Sequence, residues 1–172
     1  LIAQEELAPL LAATMVAVLV LHFVGLSASL VFWALALLVL LVFRDPEREI
    51  PSIPMAVLSP ADGRVTSISA THDPYLKRRS FRVTVQMNPY GVFTTRSPVE
   101  GKVLEPPNLP DGANKPHGVW LQTDEGDDVV MVMNKGRLNN EPRCYIRYGE
   151  RIGQGMRCGF VHLGGQVDIY LP

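Results

Sequence analysis

The sequence predicts a chain in two parts, an N-terminal transmembrane α-helical hairpin followed by an all-β domain of short strands with a barrel-sandwich-like character. Three observations predict it. From Leu7 to Phe43 there is no Asp, Glu, Lys or Arg, so nearly all charge falls in the C-terminal part. Beyond Pro51 the apolar residues recur at every second position rather than with a helical period. Turn-forming clusters then separate the alternating runs at short intervals. The boundaries that follow are a membrane-embedded hairpin over 1–43, a linker over 44–55 and a β-rich domain over 56–172.

The apolar segment is longer than a buried core helix needs, which favours a bilayer. As one straight helix it would run about 55 Å at 1.5 Å per residue, against about 30 Å of hydrocarbon. LHFVGLSAS supplies a break, because Gly25 with Ser27 and Ser29 is the turn-like cluster of the segment. The expectation is two helices, roughly 8–24 and 28–43, with Leu10, Val18, Gly25, Ala28, Trp33 and Leu38 as bilayer or helix–helix contacts. Small residues there allow close helix approach. Arg44 and Arg48 vote for a cytoplasmic near side, although Asp45, Glu47 and Glu49 offset them. The implied location is an inner cell membrane with the β domain on the cytoplasmic side.

In PEREIPSIP the prolines 46, 51 and 54 forbid helix continuation. The strands expected after it are RVTSISA, SFRVTVQM, GVWLQT, DVVMVM, RCYIRYG and RCGFVHL. They are divided by ADG at 61–63, NPYG at 88–91, PDG at 110–112, DEGDD at 124–128 and GERIGQG at 149–155. GERIGQGMRCGFVHLG has the glycine spacing of a barrel-sandwich hairpin. A net charge of −1 without a dense basic stripe excludes a nucleic-acid partner. Cys144 and Cys158 form no C-x-x-C pair, and His22, His72, His117 and His162 lack ligand spacing, so no metal is expected.

Four ordered blocks carry a more specific message. FRDPEREIP after the apolar segment, SPADGRV, MNPYGVFTTRSPVEGKV and finally GGQVDIYLP resemble the short, membrane-bound form of the phosphatidylserine decarboxylase family. The resemblance runs from about residue 8 to Pro172. It implies a pyruvoyl enzyme that builds its own cofactor. A serine following a glycine attacks the preceding carbonyl, the ester is broken by β-elimination, and the new N-terminus becomes a ketone that accepts electrons during decarboxylation.

The family's Gly-Ser falls on Gly164 and Gly165, and its V-H-x-N-R histidine falls on Phe93. Glycine has no oxygen to attack and no β-carbon to eliminate, and a benzyl ring moves no proton. Asp62 and Arg96 remain, each equally explained by a turn or an ion pair. The expectation is therefore that no pyruvoyl group forms at Gly165, that the chain has no cofactor and is not an enzyme, and that Gly165→Ser alone restores no cleavage. As a non-catalytic, decarboxylase-like membrane protein it would serve as a structural or accessory subunit, its partners the bilayer and other subunits of a membrane complex. The remodelled stretches NKGRLNNEPRCY and PPNLPDGANKPHG would meet those partners. Two alternatives stand beside it: an active phosphatidylserine decarboxylase captured as an uncleaved mutant proenzyme, and a phospholipid headgroup-binding module.

Overall fold

The computed structural model describes residues 7–23, 25, 30–31, 33–38, 56–89, 91–107, 117–136 and 139–172. The chain divides into two compact units, Leu1–Arg48 and Glu49–Pro172. In the first, α1 spans Leu7–Phe23. It ends where the sequence break predicts, at Gly25, whose φ of 101° is open to glycine and costly for other residues. Helical backbone recurs at 33–38. Val18, Gly25, Trp33 and Leu38 are exposed, while the side chain of Leu10 and the whole of Ala28 lie outside the described residues.

The transmembrane hairpin is not found. No helix among the described residues is long and apolar enough to cross a membrane. The physical reason is the same break. Seventeen residues of α1 make about 25 Å of helix, short of the roughly 30 Å of a hydrocarbon core.

The second unit is all-β, as the alternation predicts. Its larger sheet is antiparallel, with strand order β1-β2-β10-β6-β5-β4-β8. The strands are β1 (Gly63–Asp73), β2 (Arg78–Met87), β4 (Gly101–Leu104), β5 (His117–Gln122), β6 (Asp128–Met133), β8 (Arg151–Ile152) and β10 (Gln166–Leu171). A three-stranded sheet packs β9 (Arg157–Phe160) between β3 (Thr94–Arg96) and β7 (Arg143–Cys144). Alternate side chains of both sheets close on one core that includes Val85, Met87, Val103, Leu121, Met131, Met133, Cys158, Val161 and Val167. At roughly 25 cal/mol per Å² of apolar surface, this burial is the main force holding the sheets together.

Two strand expectations change. GERIGQGMRCGFVHLG does not form a hairpin: β8 pairs with β4 in the large sheet, and β9 pairs with β3 and β7 in the small one. The glycine-rich turn is a corner between sheets. RCYIRYG keeps its alternation of exposed and half-buried residues, but only Arg143 and Cys144 are paired as a strand.

Candidate functional site

Gly164 and Gly165 lie in the turn that leads from β9 into β10. Leu163 has φ 57° and Gly164 φ 72°, two successive residues in the left-handed region. The Gly164 amide donates to the Val161 carbonyl at 3.1 Å and closes the turn. Glycine adopts this backbone freely, but for a leucine it is strained by about 1–2 kcal/mol. Such strain persists only where surrounding structure holds it.

The holding groups come from β2. The Gly165 carbonyl accepts the Met87 amide at 2.9 Å and the Gln86 Nε2 amide, also at 2.9 Å. One residue on, the Asn88 amide donates to the Asp62 carbonyl at 3.1 Å. The SPADG loop is thereby tied to the same strand end that grips the 164–165 turn. Sequence reading missed Gln86, because its role depends on the β2–β10 register, in which Gln86 stands opposite Gln166.

Phe93 reaches the site through β9. The Val161 amide donates to the Phe93 carbonyl at 2.9 Å. The Phe93 ring, only 2% exposed, meets Phe160 edge to face at 6.2 Å. Phe160 in turn meets the His162 ring at 4.9 Å. Arg96 belongs to the far end of β3, where its amide donates to the Pro60 carbonyl at 2.8 Å and its Nη1 to the Gly155 carbonyl at 3.1 Å. The fold thus gathers Asp62, Phe93, Gly164 and Gly165, and gives Arg96 contacts that brace the loop behind Asp62.

Space around residue 165 is tight. A β-carbon added to Gly165 would lie 2.9 Å from Val161 Cγ1 and 3.2 Å from the Lys135 carbonyl oxygen. Residue 165 therefore offers neither the hydroxyl nor the room that the family's pyruvoyl chemistry takes from a serine, and as glycine it does not fit that group. Behind the turn the VDIYLP strand is anchored by Asp168. Its buried carboxylate accepts Thr84 Oγ1 at 2.6 Å and Asn134 Nδ2 at 2.9 Å.

The histidines stay apart. His72 is exposed on β1, His162 flanks the 164–165 turn, and the side chain of His117 lies outside the described residues. Among the described residues no group of three or more His, Cys, Asp or Glu lies close enough to hold a metal. Cys158 is fully buried, and loss of water pushes its thiol up to about 12. Of the remodelled stretches, 108–116 and 137–138 fall outside the described residues. Asn139–Cys144 runs beside the site, with Arg143 paired to Phe160.

The family described as phosphatidylserine decarboxylase matches residues 35–172. A phosphatidylserine decarboxylase proenzyme of Nitrosomonas europaea is 39% identical, covering 100% of this chain and 85% of the relative. That of Nitrosomonas eutropha is 38% identical with the same coverage. That of Burkholderia multivorans is 37% identical over 95% of this chain and 82% of the relative. No solved structure matches. These relatives overturn the expectation of a chain that is no enzyme and has no cofactor. They are enzyme precursors along essentially the whole of this sequence, and their family is one that matures to a pyruvoyl form. The chain belongs to the phosphatidylserine decarboxylase family.

Proposed function

We propose that this chain is a phosphatidylserine decarboxylase in its uncut, proenzyme state, with an aminophospholipid as its substrate class and a membrane surface as its place of work. The supporting observation is the 164–165 turn. Its backbone is held left-handed at Leu163 and Gly164, and two donors from β2 fix the Gly165 carbonyl. The names of the relatives supply the substrate class, and glycine at 165, with no hydroxyl to attack, is the reason for assigning the uncut state.

The test restores the missing groups. Gly165→Ser supplies the hydroxyl and Phe93→His a proton-transfer group, while Val161→Ala removes the methyl that would lie 2.9 Å from the new β-carbon. The triple variant is expected to split between residues 164 and 165, read by intact-mass spectrometry, and then to release carbon dioxide from phosphatidylserine. Gly165→Ser alone is expected to stay whole, since general acid–base help is commonly worth about 10²- to 10⁴-fold. A folded triple variant that remains whole after a day would overturn the reading.

A further inference from the structure

The β1–β2 hairpin stands at one edge of the large sheet, where β1 is paired on one side only, to β2. Register shows which of its side chains share a face. Val65 stands opposite Val85, Ile68 opposite Val83 and Ala70 opposite Phe81, while Val85 and Phe81 stand opposite Val167 and Leu171 of β10. Val85 and Val167 belong to the core between the sheets. Followed outward to β1, the same face emerges from that core: Phe81 is 55% exposed, Val65 56% and Ile68 69%. His72 and Arg79 stand opposite each other at its end, and with Ala70 and Phe81 they line part of one recess of about 600 Å³. An apolar strip thus runs out of the core and finishes beside a guanidinium.

Charge on the hairpin is almost of one sign. Between Gly63 and Arg82 the chain carries Arg64, Lys77, Arg78, Arg79 and Arg82 against the single acid Asp73. Asp73 is fully buried, with its carboxylate turned to the Tyr75 amide. Arg64, Lys77 and Arg79 are exposed, and none of the three takes part in an ion pair among the described residues. On the β5–β6 turn Asp128 faces Arg78 and Asp124 pairs with Arg151. Glu125 and Asp127 are exposed there, but β2, β10 and β6 lie between that turn and the free edge. Three occupants compete for such a face. A second copy joined edge to edge would set one basic hairpin against another. A strand added along β1 would meet the bulge between Val65 and Ser67, which interrupts a ladder. An anionic lipid surface suits both features, since apolar side chains enter below the headgroups while cations rest among them.

We propose that the β1–β2 hairpin is a docking face for anionic membrane lipid, with Val65, Ile68 and Phe81 at the acyl boundary and Arg64, Lys77 and Arg79 among the headgroups. The inference does not depend on the decarboxylase reading, because it concerns the negative charge of a surface and not the amine of a substrate. It gives the β unit its own hold on a bilayer and selects that bilayer by charge.

The experiment mixes the full chain with vesicles of phosphatidylcholine alone or of a roughly 3:1 mixture of phosphatidylcholine and phosphatidylglycerol, an anionic lipid without an amine. A cation near such a surface contributes about five-fold to affinity, so flotation should show binding tighter by about ten-fold or more to the mixture. Residues 1–48 carry Arg44 and Arg48 against Glu5, Glu6, Asp45 and Glu47, so their charge does not favour the anionic lipid. Hydrogen exchange read by mass spectrometry should locate the contact. Peptides from 63–72 and 77–82 should slow by about five-fold or more on the mixture relative to phosphatidylcholine, while those of β6 stay unchanged and report an intact fold. The variant Arg64→Gln/Lys77→Gln/Arg79→Gln should bind both lipids alike, within about two-fold, and about 0.5 M salt should do the same to the unaltered chain. Equal binding of the unaltered chain to both lipids would overturn the proposal. So would an anionic preference that survives the three substitutions, protection that falls outside the hairpin, or hairpin protection that grows with protein concentration without lipid, the mark of a second copy. The two readings fail separately. Loss of the lipid preference leaves cleavage of the Gly165→Ser triple variant untouched, and a Gly165→Ser triple variant that stays whole leaves the docking face in place.

Discussion

Residue 93 decides how much of the site is packing and how much is chemistry. Its ring is buried against Phe160 of β9, so Phe93→Ala should cost about 3–5 kcal/mol through lost burial and the cavity left behind. A shift of the urea midpoint with unchanged slope would show it. Phe93→His, nearer in volume but polar, should cost about 1–3 kcal/mol; a cost equal to that of alanine would mean that the ring is not the packing element described. Cys158 gives the residue scale a pH signature. Burial raises its folded thiol from an ordinary 9.0 to about 12, so the folded state keeps a proton that the unfolded chain has lost. Stability that is whole below about pH 9 should therefore fall as pH rises towards 12. Tyr75, whose hydroxyl burial also pushes upward, adds to the same fall above pH 10. Cys158→Ala should flatten the lower part of that decline in denaturation curves taken at successive pH values. Positions 62, 93, 164 and 165 were legible in the sequence because short motifs carry them. Gln86 and Val161 were not: Gln86 joins the site only through the register of β2 against β10, and Val161 only through the turn that folds it back over Gly165.

At the scale of elements, the β1–β2 hairpin shows what alternation can and cannot tell. Its ten-residue register from Gly63↔Met87 to Asp73↔Arg78, bulged between Val65 and Ser67, follows from the runs RVTSISA and SFRVTVQM. The turn between them does not. Asp73 Oδ1 accepts the Tyr75 amide at 2.8 Å, and the turn folds the Tyr75 ring over the outer face of the large sheet against Val130, Val132 and Tyr170. That seat exists because β5 has glycine at 118, where a β-carbon would lie 2.5 Å from Tyr75 Cε1. Gly118→Ala should overpack this seat by about 1–3 kcal/mol. Its effect should be local, with amide exchange at 73–78 faster by about ten-fold or more and β9 amides unaffected. Uniform acceleration across both sheets would show that the Tyr75 seat is part of the global core instead. The transmembrane hairpin failed at this same scale. The break at Gly25 was legible in the sequence, but the span assigned to the helices on either side was not: α1 has 17 residues, and it is helix length that decides whether a bilayer is crossed.

For the whole molecule, the question is whether the β unit needs what precedes it. The residues of both apolar clusters, from Ala61 to Leu171, lie within Glu49–Pro172. The polar anchors of the site lie there too: the Asn88–Asp62 tie, the clamp of Gln86 and Met87 on Gly165, and the Asp168 network with Thr84 and Asn134. Since the residues of both clusters lie inside this unit, the free energy of folding should be generated there, and a domain of this size buries enough of its surface to stand alone. Residues 49–172 expressed separately should therefore unfold in one cooperative thermal transition, within about 5 °C of the β-unit transition in the full chain. They should also retain the near-ultraviolet dichroism of Trp120, whose indole Nε1 donates to Asp128 Oδ1 at 2.8 Å. A broad, noncooperative transition, or loss of that signal with the strand content intact, would mean that the first unit contributes packing to the β core and that the division at Arg48 is not a domain boundary.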